Sequence, residues 1–124
     1  MSGEKKILIV DDNPHMCNLL NDIMEIFDYH GVKAKDGEEA LGFLKKDNYV
    51  MVITDLRMPN LGGMDLLKMI KDENPDLPVV IITAFGKSDT KEDVMAARAD
   101  GYLTKPFKVN EIEELLKKLL HYSK

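Results

Sequence analysis

Five polar residues stand where apolar runs stop. Asp11 and Asp12 follow "KKILIV", Asp55 follows "YVMVIT", Thr83 closes "LPVVIIT", and Lys105 follows "GYLT". A charged side chain at the end of a buried run costs free energy unless something uses or satisfies it. If these run-ends meet, two carboxylates about 4 Å apart repel by ~4 kcal/mol at an effective dielectric of about 20, so three of them call for a cation. Hard oxygen ligands suit Mg2+, or Mn2+, with several waters retained. One carboxylate can then act as nucleophile toward a phosphoryl group and form an aspartyl phosphate. The metal and Lys105 would neutralise the transferring oxygens, and Thr83 would donate a hydrogen bond to one of them. Position favours Asp55 as the nucleophile, with the Asp11 and Asp12 pair holding the metal beside it.

Such a meeting requires elements that bring the run-ends together. Apolar runs of strand length alternate with amphipathic segments of helix length, the pattern of consecutive βαβ units. Strands are expected over roughly 6–11, 32–35, 50–54, 78–82 and 101–104, and helices over roughly 14–28, 38–46, 64–73, 89–97 and 109–121. "ILIV", "VMVI" and "VVII" are apolar at every position, as parallel strands covered on both faces must be. "VKAK" is half polar and reads as an edge strand. An open, doubly wound α/β sheet of this kind binds its ligand at the carboxyl ends of its strands, which is where all five polar residues fall.

Local signals support the helices. Pro14 suits a first turn capped by Asn13 or Asp12. Asp36 with Glu39, and Asp89 with Glu92, have the spacing of a capping box. Pro75 and Pro78 end the third helix. Ile112, Leu115, Leu116, Leu119 and Leu120 share one face of the last helix, with Glu113, Glu114, Lys117 and Lys118 opposite.

Composition narrows the class. The 124 residues suit one domain, spanning 1–124, with no internal repeat or linker. A net charge of −5 argues against direct nucleic-acid binding, which needs a basic face. The single Cys17 excludes an intrachain disulfide and a four-ligand zinc site, and points to a reducing, cytoplasmic compartment. No run is long enough for a membrane span, and "MSGEKK" lacks the apolar core of a signal peptide.

Taken together, "ILIVDDN", "VITDLRMPNLGG", "VIITA" and "GYLTKPF" resemble the signature segments of the response-regulator receiver family of two-component signalling, over essentially the whole chain. The resemblance implies a CheY-like (βα)5 domain with strand order 2-1-3-4-5 that takes a phosphoryl group from a sensor histidine kinase. By position, Asp55 resembles the phospho-acceptor, Asp12 the direct magnesium ligand, and Asp11 a partner acting largely through water. The backbone carbonyl of Arg57 would complete the metal's protein ligands. Thr83 and Tyr102 resemble the switch pair, reporting to the surface of the fourth helix, fifth strand and fifth helix. Lys105 resembles the phosphate-binding lysine, followed by a cis proline bond. Ala84 would leave the phosphoryl group accessible, and Arg57 and Phe85 would flank it. The family implies a phosphoprotein that catalyses only its own phosphorylation and dephosphorylation, as a monomer or a weak phosphorylation-dependent dimer. Because the chain stops soon after the fifth helix, it resembles stand-alone regulators that bind a target protein or pass the group to a histidine phosphotransfer protein. The relay is the favoured output, and a receiver cut from a longer regulator is the alternative.

Three positions depart from the family pattern. Arg98 stands where glycine is usual, so that turn is expected to be built differently. Gly62 replaces a frequent acidic residue and should loosen its loop, while Lys108 should give the last helix a poor start. Each candidate also has a plain structural reading: Asp11 or Asp12 as a helix cap, Thr83 as a strand terminator, Tyr102 as a sheet aromatic and Lys105 as a solvated lysine. Their coincidence at predicted strand ends favours the chemical reading. His15 reads as a surface histidine rather than a phosphate relay, and Cys17 as a small packing residue. An aspartate-based phosphohydrolase would place its nucleophile after the first strand, with a second aspartate two residues on, which "DDNPH" lacks. A flavin-binding electron carrier would need a phosphate loop where this chain has two carboxylates.

Overall fold

The computed structural model describes residues 5–84 and 91–122. β1 (Lys6–Val10), β2 (His30–Ala34), β3 (Met51–Thr54), β4 (Val79–Ala84) and β5 (Gly101–Lys105) form one sheet in the order β2-β1-β3-β4-β5, with every pair parallel. α1 (Pro14–Ile26), α2 (Gly37–Lys46), α3 (Gly63–Glu73), α4 (Lys91–Ala96) and α5 (Val109–Leu120) connect and follow them.

Alternate strand residues feed two separate cores, because side chains in a strand point to opposite faces. Ile7, Ile9, Ile53, Val80 and Ile82 pack with Leu20, Ile23 and Met24 of α1 and with Ile112 and Leu116 of α5. Leu8, Val10, Val52, Val79 and Ile81 pack with Ala40 of α2, with Leu66, Leu67 and Ile70 of α3, and with Val94 of α4. The three inner strands are therefore buried along almost their whole length, while β2, at the edge, is half exposed.

Several element limits differ from the sequence reading. β2 begins two residues earlier because Lys6 to Val10 pair residue for residue with His30 to Ala34. Thr83 lies inside β4 rather than at its end, and Lys105 is the last residue of β5, paired with Ala84. α1 stops at Ile26 because Asp28 turns left-handed at φ 68. The Tyr29 and Asp28 amides then donate back to the Met24 and Glu25 carbonyls at 2.9 and 3.1 Å, satisfying the helix end. Asn13, not Asp12, caps α1, accepting from the His15 and Met16 amides at 2.9 and 3.3 Å. At α2, Asp36 accepts from the Glu39 amide at 2.8 Å, and Glu39 accepts from the Lys35 amide at 2.7 Å. Asp89, expected to cap α4, lies outside the described residues.

The three departures resolve as follows. Arg98 adopts the left-handed conformation expected of glycine, at φ 76, so the turn is not built differently. The Ala99 and Arg98 amides bond to the Val94 and Met95 carbonyls at 3.3 and 3.0 Å, and the Arg98 guanidinium meets Asp72 at 2.8 Å. Gly62 is an extended N-cap residue at φ −77, so the freedom of a glycine is not used there. Lys108 makes no side-chain cap, as expected, and the start of α5 is supported instead by the Glu111 carboxylate, which accepts the Lys108 amide N–H at 2.8 Å.

The sequence reading passed over Lys71 entirely. It is 3% exposed, and its ammonium donates to the Pro75 and Leu77 carbonyls at 3.2 and 2.8 Å and to Asp100 Oδ2 at 2.6 Å. Asp100 Oδ2 also accepts the Val79 amide at 2.8 Å. This network ties the end of α3 to the starts of β4 and β5.

Candidate functional site

Parallel strands place their carboxyl ends on one rim, and the expected residues meet there. Asp11, Asp12 and Asp55 each present a carboxylate oxygen, and the three atoms lie within 4.8 Å of one another. Lys105 Nζ, at the end of β5, donates to Asp11 Oδ2 at 2.9 Å and Asp55 Oδ2 at 3.2 Å. Lys105–Pro106 is a cis peptide bond.

Each acid is held differently. Asp11 leaves β1 with its amide on the Ala34 carbonyl, and its Oδ1 accepts the Asn13 amide at 2.9 Å. Its carboxyl is pushed above the ordinary range by burial, against the pull of the Asn13 N–H and of Lys105. Asp12 is exposed to solvent. Asp55 continues β3 through its amide to the Val10 carbonyl at 3.0 Å. Its Oδ1 accepts the Leu56 amide at 2.7 Å and lies 3.4 Å from the Arg57 amide, while Oδ2 faces Lys105. The two oxygens of this carboxylate are thus in unlike surroundings: loop amides orient one, and the Lys105 ammonium meets the other.

Lys105 feels opposed forces. Burial pulls its pKa down, but the hydrogen bonds and negative charge of Asp11 and Asp55 outweigh that, and the net shift is upward. One ammonium faces three carboxylates, which leaves a surplus of negative charge over hard oxygen ligands. That donor set fits a divalent ion such as Mg2+. Thr83 adds a second sign of an incomplete site: it is 1% exposed, and its Oγ1 has no hydrogen-bond partner among the described residues. A buried hydroxyl without a partner is costly unless a ligand can accept from it. Tyr102 pairs with Ile81 and Thr104 with Thr83, so Thr83 and Tyr102 share the face covered by α2, α3 and α4, one pair apart. Phe85 lies outside the described residues.

Sequence reasoning missed the supports of the acceptor loop. Gly63 opens α3 against Asp55, where an added Cβ would lie 2.0 Å from the Asp55 carbonyl oxygen. Thr54, fully buried, donates its hydroxyl to the same carbonyl at 2.9 Å. Cys17 does more than pack, since its thiol donates to the Asp11 carbonyl at 3.3 Å. Burial, and then the charge of Asp11, raise the pKa of that thiol. Only the Asp11 and Asn13 spacing, typical of a side chain bonding its own backbone two residues on, was there to be read.

Comparison with known proteins gives the family. Residues 7–117 match the family model described as the response regulator receiver domain. The chain therefore belongs to that family, a family of phosphorylation switches in two-component signalling. It is 38% identical over 122 residues to the chemotaxis protein CheY-3 of Vibrio cholerae, covering 96% of this chain and 94% of that one. It is 33% identical to the transcriptional regulatory protein ZraR of Salmonella typhimurium over 98% of this chain, and it spans only 28% of that relative's length. Among solved structures, the response regulator TrrA of Thermotoga maritima, in complex with Mg2+ and BeF, superposes with a TM-score of 0.84 at 34% identity over 93% of this chain and 98% of that one. A receiver domain protein from Clostridium thermocellum superposes with a TM-score of 0.88 at 29% identity, covering 94% of each chain. Among the described residues, no helix is long and apolar enough to cross a membrane.

Proposed function

We propose that Asp55 accepts a phosphoryl group from the phosphohistidine of a sensor histidine kinase, and that the surface of α4, β5 and α5 reports the event. The observation that carries this reading is the convergence of Asp11, Asp12, Asp55 and Lys105 around a surplus of negative charge, with a buried Thr83 hydroxyl that has no partner among the described residues. An oxygen of Asp55 attacks phosphorus, the bond from phosphorus to the imidazole nitrogen breaks, and the histidine leaves carrying the electron pair of that bond. Asp12 would hold Mg2+ directly, Asp11 largely through water, and the Arg57 carbonyl would complete the protein ligands. Bound there, the ion neutralises charge on the transferring oxygens. The Leu56 and Arg57 amides keep Asp55 oriented, and Lys105 shifts from bridging two carboxylates to pairing with a phosphoryl oxygen.

Phosphorylation adds about −1.5 to −2 charge and new acceptor oxygens. Thr83 Oγ1 then donates to a phosphoryl oxygen, and its movement makes room for the Tyr102 ring to turn inward on the same face of the sheet. The partners implied are the kinase and either a target protein or a histidine phosphotransfer protein. A stand-alone regulator is supported by the match along nearly all of CheY-3, and the receiver of a longer regulator by the match to part of ZraR.

The test is intact-mass spectrometry after incubation with Mg2+ and acetyl phosphate. Wild type is expected to gain one phosphoryl mass, and Asp55→Ala or omission of Mg2+ to prevent it. A gain that survives Asp55→Ala would overturn the assignment of the acceptor.

A further inference from the structure

The loop that carries Asp55 into α3 rests on the first residue of a different helix. Gly37 opens α2, and its backbone is not in the left-handed region, so its requirement is space rather than conformation. A Cβ there would lie 2.6 Å from the Leu61 carbonyl oxygen and 2.9 Å from Leu61 Cβ and Cγ. In the same helix, a Cβ at Gly42 would meet nothing within 4 Å. The contact has a polar companion. Asp36, 7% exposed, accepts from the Glu39 amide at Oδ1 and from Asn60 Nδ2 at Oδ2, the latter at 3.4 Å, and Asn60 is left-handed at φ 68. At its other end the loop is pressed against Gly63. The segment from Leu56 to Gly62 is therefore confined between the first turns of two helices, and the Leu56 and Arg57 amides that hold Asp55 Oδ1 belong to it.

We propose that Gly37 is a positioning residue for the acceptor loop, acting through Leu61 and the Asp36 to Asn60 contact on the amides that orient Asp55. This rests on the reading of Asp55 as acceptor. Helix propensity gives no reason to prefer glycine over alanine at either position, so a loss of stability in Gly37→Ala would report the clash but not a role at the rim. The effect on the rim must distinguish positions 37 and 42: an added methyl at position 37 meets a backbone carbonyl that can yield only by moving the loop, whereas at position 42 it enters open space.

The experiment compares wild type with Gly37→Ala, Gly42→Ala and Asp36→Ser. Serine keeps the N-cap of α2 but removes the oxygen that accepts from Asn60. Three readouts are taken: the amide resonances of Leu56 and Arg57 in metal-free protein, the Kd for Mg2+ alone, and phosphoryl uptake from acetyl phosphate. Gly37→Ala is expected to move both resonances, to weaken Mg2+ binding by about tenfold, as loss of an outer support of a metal site does, and to slow uptake. Asp36→Ser is expected to shift all three in the same direction by less, and Gly42→Ala to match wild type. Wild-type resonances and Mg2+ affinity in a folded Gly37→Ala would overturn the proposal. If Gly37→Ala does not fold, Asp36→Ser decides alone, with wild-type values counting against it. A wild-type protein that takes up no phosphoryl group would instead overturn the acceptor reading, and the amide resonances and Mg2+ affinity would still decide the role of Gly37.

Discussion

Two lysines sit at opposite ends of the same sheet, each against carboxylate, and their surroundings differ in charge balance. Lys71 has three acceptors for its three N–H groups, one carboxylate and two fixed carbonyls, so charge and hydrogen bonding both close. Lys105 meets two carboxylates with Asp12 close by, so its neighbourhood stays negative. A buried ammonium whose partners are complete locks a structure; one left in excess negative charge marks a place where a cation and an anion can still be added. Lysine type does not separate the two cases; Lys71 is the more deeply buried, and the balance of charge around each ammonium marks the difference in role.

That contrast can be broken from either end. The largest effect is expected at the rim, where Lys105→Ala should slow phosphoryl uptake by about 10²–10³-fold, the usual loss when one charge-stabilising donor is removed. Timed intact-mass measurements with acetyl phosphate check it, and a rate within twofold of wild type would remove Lys105 from the chemistry. Next, Lys71→Met should cost about 3 kcal/mol in urea unfolding, the lower end for breaking a buried pair, because Asp100 is partly exposed and can regain water. Mg2+ sharpens the comparison. It should recover stability lost in Lys105→Ala, since binding to the folded rim adds about 2.7 kcal/mol at a hundredfold excess over Kd. In Lys71→Met it should add no more than it adds to wild type.

A smaller change is expected at Asp11. Burial raises its folded pKa, so the folded protein keeps that proton to higher pH than the unfolded chain, whose value is near 3.8. The favourable contribution is complete below the unfolded value and is lost as pH rises through the folded one. In metal-free buffer Asp11→Asn should therefore raise the urea midpoint at neutral pH, and the gain should vanish below about pH 3.8. A gain that persists there would mean that desolvation of the ionised carboxylate is not its source. The smallest effect concerns Arg98→Gly. Relief of a left-handed residue, about 1 kcal/mol, is set against a freer unfolded chain and a lost surface pair with Asp72, so stability should move by less than ~1 kcal/mol. Thermal unfolding at fixed pH checks it.

The rim was legible because one rule covers it. Alternating apolar runs imply a parallel sheet, a parallel sheet brings its carboxyl ends together, and Asp11, Asp12, Asp55, Thr83 and Lys105 end or follow those runs. What escaped were contacts with no period and no motif. Lys71 bonds to backbone carbonyls, and any residue can supply those. Its acidic partner, Asp100, lies beyond α4. Glu111 rescues the start of α5 from inside the helix, where it reads as one more surface acid. Gly37 looks like an ordinary helix start until the chain of another loop is laid across it. The limits of β2 and β4 were missed for a related reason: they are set by pairing with β1 and β5, which local composition does not encode.

The one-residue thickness of the sheet has a further consequence. Val80 and Ile82 belong to the layer of α1 and α5, while Val79, Ile81 and Tyr102 belong to the layer of α2, α3 and α4, and Thr83 follows them by register. Neighbours in sequence are thus strangers in space. A chain diversified by mutation can revise the two sides on separate schedules: codons for α1 can drift toward a new docking partner while those for Thr83, Tyr102 and the packing behind them stay under their own selection. The sheet is a partition in heredity as well as in space.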